Sequence, residues 1–233
     1  MTQRGSLPLY QQISELLIRD IAAGRLIDGE RLPPERDMAA EMGIAVGTLR
    51  AALKDLTEKG MLVRVQGSGN YIRAKSDPDS VYALFRLELA AGGGLPTAQV
   101  LSVERLAKDP GLPEFGTSAE GHRIRRLRFL SGQVAAIEEI WLDGAYVPRI
   151  TADDLVESLY LYYRTRLGLW IARAEDRLDL ATVPGWSPPA FPHAPGAPVP
   201  HVTRVSWAQD GARAEVSRTW FDHHTTRYVA RLK

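Results

Sequence analysis

Residues 32–72, LPPERDMAAEMGIAVGTLRAALKDLTEKGMLVRVQGSGNYI, constrain the fold more than any other part of the chain. They predict a helix, a tight turn, a second helix and a short β-hairpin. Pro33 and Pro34 favour a helix start, because the fixed φ of proline suits the first turn of a helix. Gly43 and Gly60 are placed to end the two helices, since glycine readily adopts the left-handed conformation that often follows a last turn.

The second of these helices has two different faces. Its apolar face repeats with the spacing of a helix that packs on a core, and it consists of Leu49, Ala52, Leu53 and Leu56. Gly47, Arg50 and Lys54 fall on the opposite face, which is left to contact something else. Two helices joined by a short glycine-containing turn form a helix-turn-helix, whose second helix enters the major groove of DNA. We therefore predict a DNA-reading unit.

The hairpin that follows has the charge of a DNA-contacting wing. Residues 62–66 and 70–73 are expected to form two short strands around a Gln-Gly-Ser-Gly turn at residues 66–69. No acidic residue occurs from Lys59 to Lys75, and the basic residues there are Lys59, Arg64, Arg73 and Lys75. A surface of this kind suits contacts with DNA phosphates.

Short sequence words occur in order across this half of the chain: Pro8-Leu9-Tyr10, Gly24-Arg25-Leu26, Leu32-Pro33 with Glu35-Arg36, Thr48-Leu49-Arg50, Gly60-Met61-Leu62 and Gln66-Gly67-Ser68-Gly69. With these words, residues 9–73 resemble the DNA-binding domain of the GntR family of bacterial transcription regulators. The resemblance implies a winged helix-turn-helix in which Arg36 contacts DNA. An apolar stripe at residues 9–21 predicts a first helix that packs behind it.

The start of the predicted recognition helix departs from that family. Where the family usually has Ser followed by Arg, this chain has Ala45 and Val46. The serine would cap the helix, which contributes about 1 kcal/mol, and the arginine would donate to guanine or phosphate. Base recognition is therefore expected to depend on Gly47, Thr48 and Arg50, with Val46 against a thymine methyl. The expected DNA-contacting residues are Arg36, Val46, Gly47, Thr48, Arg50, Arg64, Gln66, Gly67 and Ser68.

The length of 233 residues is typical of two domains, which we place at residues 1–75 and 76–233, with a short polar linker at residues 74–78. The chain has no cysteine, which excludes disulfides and cysteine-based metal sites. It has neither a membrane-length apolar run nor the apolar segment of a signal peptide, so we expect a cytoplasmic protein without a membrane partner. The net charge of +1 does not indicate nucleic acid, so the DNA-binding prediction depends on where the charges lie.

The second half of the chain has the pattern of an antiparallel sheet. Paired strand patterns around turn residues predict hairpins within residues 81–106, 122–142 and 198–221. A broken helix is expected at residues 151–167, a long strand at residues 170–183 and a last edge strand at residues 227–232. Strands joined mainly by hairpins, with few helices, predict an α+β domain.

A second set of words spans this half: Leu101-Ser102-x-Glu104, Ile124-x-Arg126-Leu127-Arg128, Glu138-x-x-Trp141-Leu142, Ser158-Leu159-Tyr160, Leu167-Gly168-Leu169 and Ala214-Glu215-Val216-Ser217. With these words, residues 81–233 resemble the UTRA domain of the HutC branch of GntR regulators. The resemblance implies an antiparallel-sheet fold similar to chorismate lyase, and it implies a domain that binds a small effector.

Two arginines mark the predicted effector site. Arg126 and Arg128 lie two residues apart, so they share one face of their strand, and a three-residue loop at residues 131–133 would place Arg126 opposite Glu138. A forked guanidinium suits a carboxylate or phosphate, although the pattern alone fits a structural salt bridge equally well. The resemblance favours an effector site with contacts from Arg126, Arg128, Glu138, Ser158, Tyr160 and Glu215, and with Phe221 where the family often has tyrosine.

Together these observations predict a ligand-responsive, sequence-specific DNA-binding regulator. We expect a homodimeric repressor that a small anionic metabolite releases from its operator, without cofactor or catalysis. Two alternatives stay open: an enzyme with a chorismate-lyase-like domain, and a ligand-independent DNA-binding dimer. The histidines do not suggest a metal site, since His223 and His224 would point apart in a strand. Residues 183–200, with seven prolines, predict an irregular loop in which Trp186 and Phe191 could form a lid over a pocket.

Overall fold

The computed structural model describes residues 7–73, 84–155 and 158–231. The linker predicted at residues 74–78, and the first residues of the strand predicted from residue 81, lie outside these ranges. The chain divides into two compact units, one formed chiefly by Leu7–Arg86 and the other chiefly by Leu87–Tyr228. Within the described ranges, no helix is both long enough and apolar enough to cross a membrane.

The first unit is a set of three helices followed by a β-hairpin. The helices are α1 (Leu9–Ala22), α2 (Glu35–Glu41) and α3 (Val46–Glu58), and the hairpin pairs β1 (Leu62–Val65) with β2 (Gly69–Ile72). The predicted apolar faces of α1 and α3 are buried together, and their core side chains are Ile13, Leu16, Leu17, Ile18, Ile21, Leu49, Ala52, Leu53 and Leu56. The predicted helix-turn-helix with a wing is confirmed.

The ends of these helices follow the glycine signals in the sequence. Gly43 and Gly60 come after α2 and α3 with φ angles of 66° and 69°, in the left-handed region. Pro34 lies immediately before α2 rather than inside its first turn, and its carbonyl accepts hydrogen bonds from the backbone N–H groups of Asp37 and Met38, both at 3.0 Å. Pro34 is therefore the N-cap residue of α2, one position before the first turn in which the sequence suggested it.

The second unit is built on antiparallel strands. They are β3 (Leu87–Leu89), β4 (Pro96–Ala107), β5 (Glu120–Leu130), β6 (Gln133–Asp143), β7 (Ile171–Thr182), β8 (Pro198–Ala208), β9 (Arg213–Phe221) and β10 (Thr226–Tyr228). Six of them form one sheet in the order β4-β5-β6-β9-β8-β7, while β3 and β10 form a separate ribbon. The short helix α4 (Leu159–Tyr162) continues into a π-helical turn (Tyr163–Leu167). The predicted α+β class is confirmed.

One predicted hairpin is wrong. The sequence pattern paired the strand ending near residue 89 with the strand beginning near residue 99, but β3 pairs with β10 and β4 pairs with β5. Gly92, Gly93 and Gly94 all have positive φ angles, of 95°, 67° and 105°. Such a run is open to glycine alone, and it directs the chain away from β3 instead of folding it back on that strand.

The β5–β6 hairpin reaches the predicted register by a different turn. The loop has two residues, Ser131 and Gly132, both with positive φ as in a type I′ turn. A register shift beside Arg128 then adds one residue to β6, so that Arg126 still lies opposite Glu138. The predicted pairing is therefore correct, although the three-residue loop on which it was based is not.

Both faces of the six-stranded sheet are covered. On one face, α4 and the π-helical turn pack on a cluster that includes Ile124 and Ile140. On the other face, Val183 and Phe191 of the proline-rich segment pack on a cluster that includes Trp220. Trp186 meets the Trp220 ring edge to face, with centroids 5.8 Å apart.

The proline-rich segment does not form the lid that the sequence suggested. Arg126 is paired with Glu138, whereas Leu127 is paired with Ile137. Because neighbouring residues of a strand point to opposite faces, and Leu127 packs with Phe191, the segment covers the face opposite to the two arginines. Trp186 and Phe191 are therefore part of a core.

Candidate functional site

The first turn of α3 carries the residues expected to read DNA. Val46 is the first helical residue, and Ala45 precedes it in an extended conformation without a side-chain cap. Gly47 and Arg50 are exposed, and Thr48 is half-buried. A Cβ added to Gly47 would meet no atom within 4 Å, so the helix backbone is open to a partner at this position.

Glu35, at the start of α2, joins the recognition helix to the hairpin. Its carboxylate accepts a hydrogen bond from Arg50 Nε at 2.7 Å and lies 3.6 Å from Arg64 Nη2. The side chain of Asn70 on β2 donates to the same carboxylate at 3.5 Å. The pKa of Glu35 is lowered, mainly by the hydrogen bond from Arg50, although partial burial opposes the shift. One carboxylate on α2 thus contacts side chains of α3, β1 and β2.

The remaining expected DNA contacts lie on α2 and at the hairpin tip. Arg36, Arg64, Gln66 and Gly67 are exposed, and the hydroxyl of Ser68 lies 2.7 Å from that of Tyr71. Lys59, which the charge pattern placed on the same basic surface, instead forms ion pairs with Glu15 and Asp55 at 3.3 and 3.0 Å.

Arg126 and Arg128 converge on one carboxylate in the second unit. Arg126 Nη2 lies 2.8 Å from Glu138 Oε2, and Arg128 Nη2 lies 3.1 Å from the same oxygen. All three side chains are at least 90% buried. Burial alone would raise the pKa of Glu138, but the positive charges of Arg128 and Arg126 hold it below its usual value. The carboxylate is therefore ionised at neutral pH.

A second carboxylate on the same face accepts hydrogen bonds from hydroxyl groups. Glu215 accepts from Tyr163 at 2.7 Å, from Ser206 at 3.1 Å and from Tyr160 at 3.2 Å. Burial raises the pKa of Glu215, and the hydrogen bonds from Tyr163 and Ser206 and the charges of Arg204 and Arg126 only partly oppose it. Burial and the neighbouring Glu215 also raise the pKa of Tyr160. The two carboxylates of the site thus differ in pKa: two guanidinium groups lower that of Glu138, whereas burial raises that of Glu215.

Sequence reasoning missed a third arginine near this cluster. Arg204 on β8 pairs with Asp176 on β7 through two hydrogen bonds of 2.6 Å, and Tyr228 donates to the same carboxylate at 2.6 Å. Arg204 and Ser206 lie two residues apart on β8, so they share one face of the strand. Ser206 lies opposite Glu215 on β9. Two polar residues at period-two spacing are the signal that could have revealed Arg204 and Ser206. The Asp210-Gly211 turn alone does not give their partners, because the register shifts beside Ser206.

Two other expected effector residues occupy supporting positions. The Ser158 hydroxyl accepts a hydrogen bond from the backbone N–H of Leu161 at 3.3 Å, which makes it the N-cap of α4. Phe221 is buried at the end of β9, opposite Ala136. The structure therefore brings Arg126, Arg128 and Glu138 into contact, and it brings Tyr160 into contact with Glu215. Guanidinium, hydroxyl and carboxylate groups together can bind a small molecule that carries an anionic group and hydroxyls.

A cavity of about 400 Å³ elsewhere in this unit is lined by Val103, Arg105, His122, Pro148, Arg149, Ile150, Thr151 and Ala152. Two of its polar side chains already make contacts within the protein. Arg105 donates to Glu120 at 2.8 Å and to the carbonyls of Val147 and Pro148, and the ring of His122 contacts the carbonyl of Val147 at 2.8 Å.

Comparison with known proteins gives consistent matches over both units. Residues 9–72 match the bacterial regulatory proteins of the gntR family, and residues 91–227 match the UTRA domain. The HTH-type transcriptional regulator SmoD of Agrobacterium fabrum is 68% identical over 229 residues, which cover 98% of each chain. The mannosyl-D-glycerate transport/metabolism system repressor MngR of Escherichia coli is 28% identical over 75% of each chain. The crystal structure of the possible transcriptional regulator YydK from Bacillus subtilis covers 97% of this chain and 100% of its own, with a TM-score of 0.55 at 20% identity, which shows a shared fold.

Proposed function

Because the chain belongs to the GntR family of transcription regulators and carries a UTRA domain, we propose that it is a homodimeric repressor. A small anionic metabolite would release this repressor from its operator. Residues 1–75 would bind DNA, and residues 76–233 would bind the effector and form the dimer. The single observation that supports an anionic effector best is the convergence of two buried guanidinium groups on Glu138.

The proposed DNA surface combines the first turn of α3 with the hairpin. The side chains of Arg50 and Arg64 are 63% and 71% exposed, yet both are oriented by Glu35. In this arrangement Arg50 reads a base edge and Arg64 contacts a phosphate, while the open backbone at Gly47 lets the helix approach the groove closely. The contact set is Arg36, Val46, Gly47, Thr48, Arg50, Arg64, Gln66, Gly67 and Ser68.

The proposed effector site is the polar cluster on the sheet face under α4. Burying charged groups costs several kcal/mol per ion unless their interactions repay it, so a purely structural role gives little reason to place so many on one face. Arg126 and Arg128 would bind the anionic group of the effector. Hydroxyl groups of the effector would be oriented by Glu138, Ser158, Tyr160 and Glu215, with Phe221 at the edge. MngR is named for mannosyl-D-glycerate, a small molecule with both a carboxylate and hydroxyls.

The homodimer would place two recognition helices on a pseudo-palindromic operator. On the edge strand β7, Leu178 and Leu180 share one face and their exposed fractions are 54% and 75%. Exposed apolar side chains on an edge strand suit contact with a second copy. We expect Leu180→Asp to give a monomer in sedimentation velocity, while Arg177→Asp, on the opposite side of the same strand, leaves the dimer intact.

The experiment has two steps. A half-site is first selected from random DNA, and its binding is measured by fluorescence anisotropy. Sugar phosphates, small carboxylates and mannosyl-D-glycerate are then screened by calorimetry and added to the DNA complex. A typical allosteric coupling of about 1–3 kcal/mol would weaken DNA binding about 5–150-fold. Arg126→Ala together with Arg128→Ala should abolish ligand binding, and Arg123→Ala, on the same strand but paired with Glu104, should not.

Each alternative has its own outcome in this experiment. Turnover of a bound acid would identify an enzyme with a lyase-like domain. Specific DNA binding without a thermal shift from any probe would favour the ligand-independent dimer. A ligand whose affinity is unchanged in the double arginine variant would place the effector elsewhere.

A further inference from the structure

Four metal-ligand side chains lie close together at the end of β9. Asp222, His223 and His224 belong to the turn between β9 and β10, and His193 belongs to the proline-rich segment. One ligand atom of each side chain lies within 4.8 Å of those of the other three. The turn also corrects the sequence reasoning, because His223 and His224 do not point apart as they would in a strand, and their ring centroids are 4.1 Å apart.

The ring of His193 completes this group from a distant part of the chain. Its centroid lies 5.4 Å from that of His223 and 5.7 Å from that of His224. The neighbouring Phe191 is 4% exposed in the core on the sheet. The approach of His193 to the turn is therefore fixed by the packing of the proline-rich segment.

Asp222 holds the group in place. It is 3% exposed, and its carboxylate accepts hydrogen bonds from the His193 ring at 2.9 Å, from the His224 backbone N–H at 3.0 Å and from the Thr225 hydroxyl at 2.7 Å. These contacts fix the carboxylate beside the His193 ring. Metal binding would replace the hydrogen bond between them, because an imidazole nitrogen that binds a metal carries no proton.

We propose that His193, His223, His224 and Asp222 bind one divalent transition-metal ion, of which Zn²⁺ is the reference case. Three imidazoles and one carboxylate suit Zn²⁺, Co²⁺, Ni²⁺ or Cu²⁺ rather than Mg²⁺ or Ca²⁺, which prefer oxygen ligands. Zinc–nitrogen bonds of about 2.0–2.1 Å in a tetrahedron place ligand atoms about 3.3 Å apart. Ligand atoms that lie up to 4.8 Å apart must therefore approach each other by at most about 1.5 Å. The exposed side chains of His223 and His224 can rotate to close this distance.

The bound ion would join the proline-rich segment to the turn that leads into β10. These two segments are about thirty residues apart in sequence, and the hydrogen bond from His193 to Asp222 already connects them. The proposal thus gives residues 183–200 a specific role, which is to supply a ligand from a packed and therefore positioned loop. It does not depend on the effector site.

The test uses the full-length protein without a histidine tag. Titration with Zn²⁺ by calorimetry should show one ion per chain, and Co²⁺ should give the absorption bands of a tetrahedral site. Hydrogen exchange should slow in residues 184–197 and in residues 222–226 when Zn²⁺ is added. Loss of a residue that only supports a metal ligand typically lowers metal affinity about 10–100-fold. Because His193 would bind the ion directly, His193→Ala should weaken Zn²⁺ binding at least as much. His201→Gln is the control, because His201 is buried against Asp179, outside the group.

Three results would overturn the proposal. They are no binding of Zn²⁺, Co²⁺ or Ni²⁺, an unchanged affinity in His193→Ala, and binding that leaves exchange unchanged in both segments. If His193→Ala does not fold, His224→Ala replaces it, since His224 is exposed on the turn and the same affinities are compared.

Discussion

The Glu35 carboxylate accepts a hydrogen bond from Arg50 Nε at 2.7 Å, so α2 orients an arginine on the exposed face of α3. The Arg50 side chain is 63% exposed, and an ion pair at such a site contributes only about 0–1 kcal/mol to stability. Its effect is therefore expected mainly in recognition, because an arginine that is already oriented loses less side-chain entropy when it contacts a base.

We first predict that Glu35→Gln gives a small, pH-dependent loss of stability. The folded-state pKa of Glu35 is depressed, chiefly by the hydrogen bond from Arg50. Its stabilising contribution is therefore present above the unfolded-state pKa of about 4.3 and is lost as the pH falls through the folded-state pKa. Urea unfolding should show a difference below about 1 kcal/mol at pH 7 that disappears in acid. Glu41→Gln, on the exposed side of the same helix, serves as the control. A difference that stays constant with pH would contradict this assignment.

A second prediction separates the two arginines that Glu35 holds. Arg50→Ala should cost about 1–3 kcal/mol on the selected half-site and relax preference at one base pair. Arg64→Ala should weaken specific and random DNA alike and reduce the slope of log affinity against log salt by about one. Anisotropy titrations at several salt concentrations measure both effects. Equal losses on specific and random DNA for Arg50→Ala would rule out base reading by this residue.

The helix-turn-helix could be predicted from the sequence because its signals are local. Gly43 and Gly60 end the helices where glycine is expected, and the apolar face of α3 is buried as its spacing requires. The pairing of β3 with β10 could not be predicted in this way, because the two strands are far apart in sequence and neither carries a hairpin turn to its partner. Turn signals gave correct hairpins at Ser131-Gly132 and Asp210-Gly211, but not at residues 92–94, where the consecutive strands β3 and β4 do not pair with each other.

A third prediction concerns the uncapped start of α3. Ala45 occupies the N-cap in an extended conformation and makes no side-chain cap, so Ala45→Ser should stabilise the protein by about 1 kcal/mol. Thermal or urea unfolding measures the gain. Ala40→Ser, exposed in the interior of α2, is the control and should not stabilise, because serine is a poorer helix former than alanine. An equal gain in both variants would show that the effect does not come from capping.

The polar cluster of the second unit was only partly predictable. Arg126 and Glu138 were paired correctly because the register shift beside Arg128 compensates for a loop one residue shorter than expected, and Arg128 follows from the alternation of the strand. Arg204 was missed because its partner Asp176 lies on β7, which reaches β8 only through the proline-rich segment. Tyr163 was missed because it belongs to a π-helical turn, where helical periodicity no longer gives the direction of a side chain.

The last prediction compares two neighbouring glutamates on β6. Glu138 pairs with two buried arginines, Arg126 and Arg128, whereas Glu139, which is equally buried, pairs with one arginine, Arg125, whose side chain is 20% exposed. Removing one partner from a buried pair costs about 3–5 kcal/mol, because the guanidinium groups lose a carboxylate that water cannot fully replace. Glu138→Gln should therefore lower the free energy of unfolding at pH 7 clearly more than Glu139→Gln.

The pH dependence gives this comparison its control. The folded-state pKa of Glu138 is lowered despite its burial, because Arg128 and Arg126 stabilise the ionised form. The stabilisation is therefore complete above the unfolded-state pKa and falls as the pH drops through the folded-state pKa. Urea unfolding between neutral and acidic pH should show the wild type approaching Glu138→Gln as the pH falls. Equal losses in the two variants, or a gap that widens in acid, would show that Glu138 does not stabilise the two arginines as an ionised carboxylate.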